Sequence, residues 1–302
     1  MRKLVSVLLS VILLCSVVSA FGEENAVELF NRGMAYYTGD GTEQSYEEAY
    51  RLFQQAADQG LAEAQFKVGF MSDHGYGTEQ SYQKAMTYYQ LAADQGHAYA
   101  MFNLALLYDN GRGTETSKEK AVEYYLLAAN LGLPQAQHNL GLKYANGIVV
   151  EQSMEKALEC FQKAAEQGLP DSLFVLGRMY EQGIGVEESY QTAVEYYQKA
   201  ADAGSAKAQY IMGALYDLGS YVEQSYETAA YYYQLAAEKG IAEAQHNLGV
   251  LYLYGRGVDR SYEKAAEWFT SAAEQGLPES QYNLGILYYD GNGVEGSVKC
   301  FL

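Results

Sequence analysis

Shifted by 36 residues, this 302-residue chain aligns with itself over almost its whole length, and no other feature restricts its fold as tightly. Counted from Asn25, seven full units occupy 25–60, 61–96, 97–132, 133–168, 169–204, 205–240 and 241–276, and a partial eighth runs over 277–302. Slot eight is Leu or a near relative in most units (Val68, Leu104, Leu140, Leu176, Met212, Leu248, Leu284). Slot nine is Gly except at Ala105, slot twelve is Tyr except at Ser72, and slot fifteen is Gly from Gly39 to Gly291. Slots four, eight and twelve share one face at helical period. In the fourth unit this spacing predicts a first helix from about Pro134 to Asn146, ended by Gly147. A second helix starts behind the capping hydroxyl of Ser153, lines one face with Ala157, Phe161, Ala164 and Ala165, and closes at Gly168. Ser recurs at the cap from Ser45 to Ser297. An Ala pair ends each second helix (Ala56-Ala57 to Ala272-Ala273), and large side chains precede it, as in Tyr88-Tyr89 and Trp268-Phe269. One such hairpin buries too little surface to stand alone, so the units must stack into an all-α solenoid.

Composition narrows the partners. The chain carries 38 Asp+Glu against 20 Lys+Arg, a formal charge of −18, which argues against nucleic acid and against anionic membrane surfaces. A hydrophobic content of 49% excludes wholesale disorder. Residues 1–20 read as a signal peptide: Arg2 and Lys3, an apolar run from Leu4 to Leu14, and a small-residue cleavage site at Val18-Ser19-Ala20. The run is too short to be a membrane span. Residues 21–24 form a short linker. The expected destination is the periplasm or the exterior, or the endoplasmic-reticulum lumen in a eukaryote. Past the signal only Cys160 and Cys300 remain, which is no disulfide framework.

The slot pattern resembles the Sel-one-like repeat (SLR) family, a relative of the tetratricopeptide repeat. Ala244–Val258, within AEAQHNLGVLYLYGRGV, and Lys264–Ala273, KAAEWFTSAA, carry the likeness most clearly, and it extends over residues 25 to about 295. The resemblance implies a right-handed α-solenoid whose first helices line a concave side, and a non-enzymatic protein–protein interaction scaffold as its function. Val149 and Tyr221 depart from the second loop Gly, and Ser72 from the core Tyr. Two other readings come with the family. Its cysteine-rich branch is linked to β-lactam hydrolysis, but the paired cysteines of that branch do not occur here. Other members are endoplasmic-reticulum adaptors for degradation of misfolded proteins.

The residues suggest no catalytic, cofactor or metal motif. His138 and His246 share slot six but lie three units apart, on the order of 30 Å at about 10 Å per unit, too far for joint ligation. Cys160 reads as a buried apolar thiol. Slot six is the candidate binding stripe: Phe30, Phe66, Phe102, His138, Phe174, Tyr210, His246 and Tyr282, with amides beside it at Asn103, Asn139 and Asn247. Such a stripe suits a partner peptide or helix; the competing reading is that these side chains bury against the next unit. The acids of slot nineteen, from Glu43 to Glu295, read as a solvated edge near helix N-termini. The truncated eighth unit is expected to leave an apolar end near Cys300 that supports weak self-association.

Overall fold

Seven serines open seven helices by the same contact. The hydroxyls of Ser45, Ser81, Ser117, Ser153, Ser189, Ser225 and Ser261 each accept from the backbone N–H three residues on, at 3.2–3.3 Å. This computed structural model describes residues 24–291. The signal, most of the linker, and Gly293, Ser297 and Cys300 lie outside the described residues.

Among those residues there are fifteen α-helices and no strand. They are α1 (Ala26–Thr38), α2 (Tyr46–Asp58), α3 (Ala62–His74), α4 (Tyr82–Asp94), α5 (Ala98–Asn110), α6 (Lys118–Asn130), α7 (Pro134–Asn146), α8 (Met154–Glu166), α9 (Pro170–Gln182), α10 (Tyr190–Asp202), α11 (Ala206–Leu218), α12 (Tyr226–Glu238), α13 (Ala242–Tyr254), α14 (Tyr262–Glu274) and α15 (Pro278–Asp290). Odd and even helices pair as hairpins, and the chain divides at Leu133/Pro134 into two compact bodies. One holds three hairpins; the other holds four and α15.

Within each hairpin the core is a ring lying on a glycine. Phe53, Tyr89, Phe161, Tyr197, Tyr233 and Phe269 are almost wholly buried. A Cβ added to the slot-nine glycine opposite each would stand 2.5–2.8 Å from a ring carbon, closer than real Cβ contacts come. That is why slot nine repeats. The exception is Ala105, buried in the third unit, whose core ring is the buried Tyr125.

Two departures in the sequence find their reasons here. Ser72 is fully buried, and its place is taken by Tyr50 from the preceding hairpin, whose hydroxyl lies 3.3 Å from the Ser72 hydroxyl. Lys84 then covers the Tyr50 ring at 5.0 Å, as Lys120 covers Tyr108 at 4.9 Å and Lys264 covers Tyr252 at 5.0 Å. So the tyrosine is not lost but supplied from elsewhere. Val149 and Tyr221 keep the left-handed backbone of the glycines they replace, at φ 67° and 62°. The Tyr221 ring lies flat on Tyr190, with centroids 4.3 Å apart.

Polar side chains tie neighbouring hairpins together. Buried Gln65, Gln209 and Gln245 donate to the carbonyls of Ala57, Ala201 and Ala237. Within single hairpins, Gln95, Gln167 and Gln275 donate to the side-chain oxygens of Gln65, Gln137 and Gln245 at 2.7–3.0 Å.

Candidate functional site

The slot-six side chains have a partner the sequence did not announce: the core ring of their own hairpin. Phe30 meets Phe53, Phe66 meets Tyr89 and Phe102 meets Tyr125, at 5.3–5.9 Å between centroids. In the second body His138 meets Phe161, Phe174 meets Tyr197, Tyr210 meets Tyr233 and His246 meets Phe269, at 5.4–6.1 Å. All seven are half-buried, so each spends part of its surface on the core and leaves part to solvent. Tyr282, on α15, is 70% exposed. An open cavity of about 510 Å³ lies against it, lined by His246, Pro278, Glu279, Tyr282 and Asn283.

The asparagines beside the stripe are partly committed. Asn103 and Asn247 hydrogen-bond the buried hydroxyls of Tyr89 and Tyr233 in the hairpin before. Asn139 is half-buried on α7. Those tyrosines also donate to a carboxylate: Tyr89 to Asp73 at 3.3 Å, Tyr197 to Glu181 at 2.8 Å, Tyr233 to Asp217 at 3.3 Å. Burial first, and then the neighbouring carboxylate, raise the pKa of all three phenols. The sequence holds the signal for this pairing. Slot thirteen is acidic (Asp73, Asp109, Glu181, Asp217) wherever the core ring is Tyr, and is Tyr37, Ala145 or Leu253 wherever it is Phe.

A second coupling is also visible. His138 Nδ1 lies 2.9 Å from the Ser172 hydroxyl, and His246 Nδ1 lies 2.8 Å from that of Ser280. These are the two units with Ser in slot four, where Ala64, Ala100, Ala136, Ala208 and Ala244 stand in others. A Ser–His contact is the geometry of a nucleophile and its base, but both serines are 0% exposed and out of reach of a substrate. Each pair works as a polar pin between hairpins. Burial lowers the pKa of both imidazoles, opposed by Asp171 near His138 and Glu279 near His246.

Cys160 is half-buried rather than buried, and burial pushes its thiol up to about 11, away from nucleophilic range. The slot-nineteen acids from Glu43 to Asp259 are all exposed. Among the described residues no cluster of His, Cys, Asp or Glu could hold a metal ion, and no helix is long and apolar enough to cross a membrane.

Hairpins of near-identical build, stacked in order within each body, define an α-solenoid, an architecture typical of protein–protein interaction scaffolds. The chain belongs to the Sel1 repeat family, whose model matches residues 29–61, 62–97, 98–133, 134–169, 170–205, 206–241, 242–277 and 278–298. A Sel1 repeat protein from Oxalobacter formigenes is 35% identical, with a TM-score of 0.75 over 87% of this chain and 76% of that one. A protective antigen of uropathogenic Escherichia coli strains, displaying an SLR fold, is 30% identical, with a TM-score of 0.60 over 91% of this chain and 67% of that one. The immunity protein PA5088 of Pseudomonas aeruginosa, 22% identical with a TM-score of 0.50 over 72% and 82% of the two chains, shares the fold. Among curated proteins none matches.

Proposed function

We propose that this protein is a non-enzymatic, exported scaffold that binds a partner peptide or helix along the face of its first helices. The observation that carries this reading is the half-committed slot-six stripe. Core packing fixes each ring, yet part of it stays open, which is the preorganised apolar surface that a peptide or helix uses. The cavity beside His246 and Tyr282 offers room for one side chain of such a partner. Export rests on Arg2, Lys3, the apolar run and the Val18-Ser19-Ala20 site.

The test is site-specific photo-crosslinking in the source cells, with the photoreactive residue at Tyr210, at Tyr282, or at the exposed acid Glu187. A discrete partner captured from the first two positions and not from the third is the expected result. Equal capture from all three would refute the assignment of the face. Export is tested by fractionation, and a chain retained in the cytosol with residues 1–20 uncleaved would refute it. Weak self-association through the C-terminal end is a separate part of the reading. It draws on Tyr282 and Tyr289, which stand 70% and 91% exposed on α15. Sedimentation of Tyr289→Ser against the parent checks it; two identical monomers would remove it.

A further inference from the structure

One stretch of the first-helix face is unlike the rest. Phe66, Phe70 and His74 follow each other at four-residue steps on α3, so they share one side of the helix over about 12 Å. Phe70 is the one aromatic residue among the slot-ten side chains. The Phe70 and His74 rings stack at 4.2 Å, and Phe66 stacks on His97 at 4.5 Å. Tyr76 continues the row beyond His74 at 5.5 Å, and Tyr99 beyond Phe66 at 6.2 Å. Both imidazoles are held in place, His74 by its Nδ1 on the Phe70 carbonyl at 2.9 Å, and His97 by capping α5 through the Ala100 N–H at 3.2 Å. The two outer tyrosines are 38% and 51% exposed.

We propose that this six-ring row is the docking site of a proline-rich segment in the polyproline II conformation, with a lysine or arginine at the end that meets Tyr99. The inference rests on the reading of the first-helix face as a binding surface and gives that surface, at the second and third hairpins, a class of partner. Phe66 and Phe70 stand 6.3 Å apart and tilted by 40°, so the two stacked pairs adjoin in one row of angled rings. Proline-rich segments dock on such aromatic-lined surfaces. A polyproline II strand advances about 3.1 Å per residue, so about four residues span the roughly 12 Å from Phe66 to His74, and prolines three apart return to the same side. Its carbonyls have no internal partners, so the Tyr76 and Tyr99 hydroxyls can donate to them. The strand is already extended before binding, which keeps the ordering cost low. The charge follows from Glu63, exposed in the first turn of α3 and within electrostatic reach of His97.

The probe is a fluorescent peptide of ten prolines with a lysine at each end, titrated by anisotropy against the whole protein. Saturable binding with a Kd of about 10–500 µM is expected. The exposed double substitution Tyr76→Ser with Tyr99→Ser should weaken it about ten-fold or more, and Glu187→Ser, at an exposed acid off the first-helix face, should leave it unchanged. Glu63→Lys, on an exposed helix position, should weaken the lysine-flanked peptide and favour a glutamate-flanked one. A ten-glycine analogue with the same lysines should bind at least about ten-fold more weakly. No saturation by about 1 mM, equal affinity for the glycine analogue, or indifference to the two tyrosines overturns the proposal. Binding of chitohexaose at Tyr76 and Tyr99 in place of the peptide overturns it too, in favour of a sugar platform. Peptide binding lost with Tyr282→Ser but not with the pair at 76 and 99 sinks this site while leaving the wider first-helix reading standing.

Discussion

The pairing of Tyr197 with Glu181 makes a quantitative test of how these hairpins choose their core. The Tyr197 ring is 2% exposed and its hydroxyl donates to Glu181 at 2.8 Å; Glu181 also receives Arg178 at 3.2 Å. Replacing Glu181 by Leu strands a buried hydroxyl, at a cost of about 1–3 kcal/mol. Replacing Tyr197 by Phe costs less, about 1 kcal/mol, because the carboxylate keeps Arg178 and partial hydration. Together, the two changes recreate the combination of Phe269 and Leu253, which the chain already uses in its seventh unit. The double variant should therefore be no less stable than Glu181→Leu alone, with a coupling of about 1–2 kcal/mol. On a chain of this size Glu181→Leu should lower Tm by roughly 2–12 °C. Guanidinium unfolding of the four proteins, followed by far-UV circular dichroism, measures the cycle. If the double loss equals the sum of the single losses to within about 0.3 kcal/mol, the rule linking slot thirteen to the core ring is wrong.

Burial lowers the pKa of His97, His138 and His246, so the unfolded chain takes up protons first as the pH falls. Their stabilisation is whole above about pH 7 and drains as pH drops through 6.5 and below; Tm measured from pH 8 to 5 should show this, and His138→Phe with Ser172→Ala should flatten the slope. Gly213→Ala would put a Cβ 2.5 Å from the Tyr233 ring, and denaturation should report a loss of about 1–3 kcal/mol, whereas an unchanged midpoint would mean the ring slides freely. Gln209 keeps a buried, unpaired side-chain oxygen, where Gln65, Gln137 and Gln245 receive a glutamine from slot thirty-five. Lys239→Gln should supply that donor and raise stability by up to about 1 kcal/mol, offset in part by the lost bond to the Gly204 carbonyl; a lower midpoint would show that the lysine contact dominates.

The repeat, the hairpin and its caps were legible in the sequence because they depend on neighbours within one unit: Ser153 caps its own helix, and Gly147 and Gly168 end theirs. What was hidden depends on a residue in another helix or another unit. Ser72 looked like a gap because its replacement, Tyr50, comes from 22 residues upstream. The histidines of slot six looked interchangeable with phenylalanine until each was seen to hold a serine 34 residues on. Reading each slot down its own column hides such pairs, whereas reading two slots together exposes them. The slot-six stripe was half legible. Its positions recur at helical period, but their division between core and solvent follows from the ring of the second helix, which periodicity along the first helix does not report.

Side-chain hydrogen bonds from one hairpin to the next span about one repeat, as in the 34 residues from Tyr124 to Gln90 and the 35 from Lys239 to Gly204. Contact order is therefore low for a protein this long, and the loop-closure entropy at each step is that of one short segment. As the chain leaves the ribosome, a hairpin can complete its side-chain contacts once the next unit has emerged, without waiting for the C-terminus. Substitutions should then act locally, softening one junction and its two hairpins while leaving distant ones at full strength. Hydrogen exchange would display this as a stepwise profile along the chain, in place of the single cooperative opening of a globular domain.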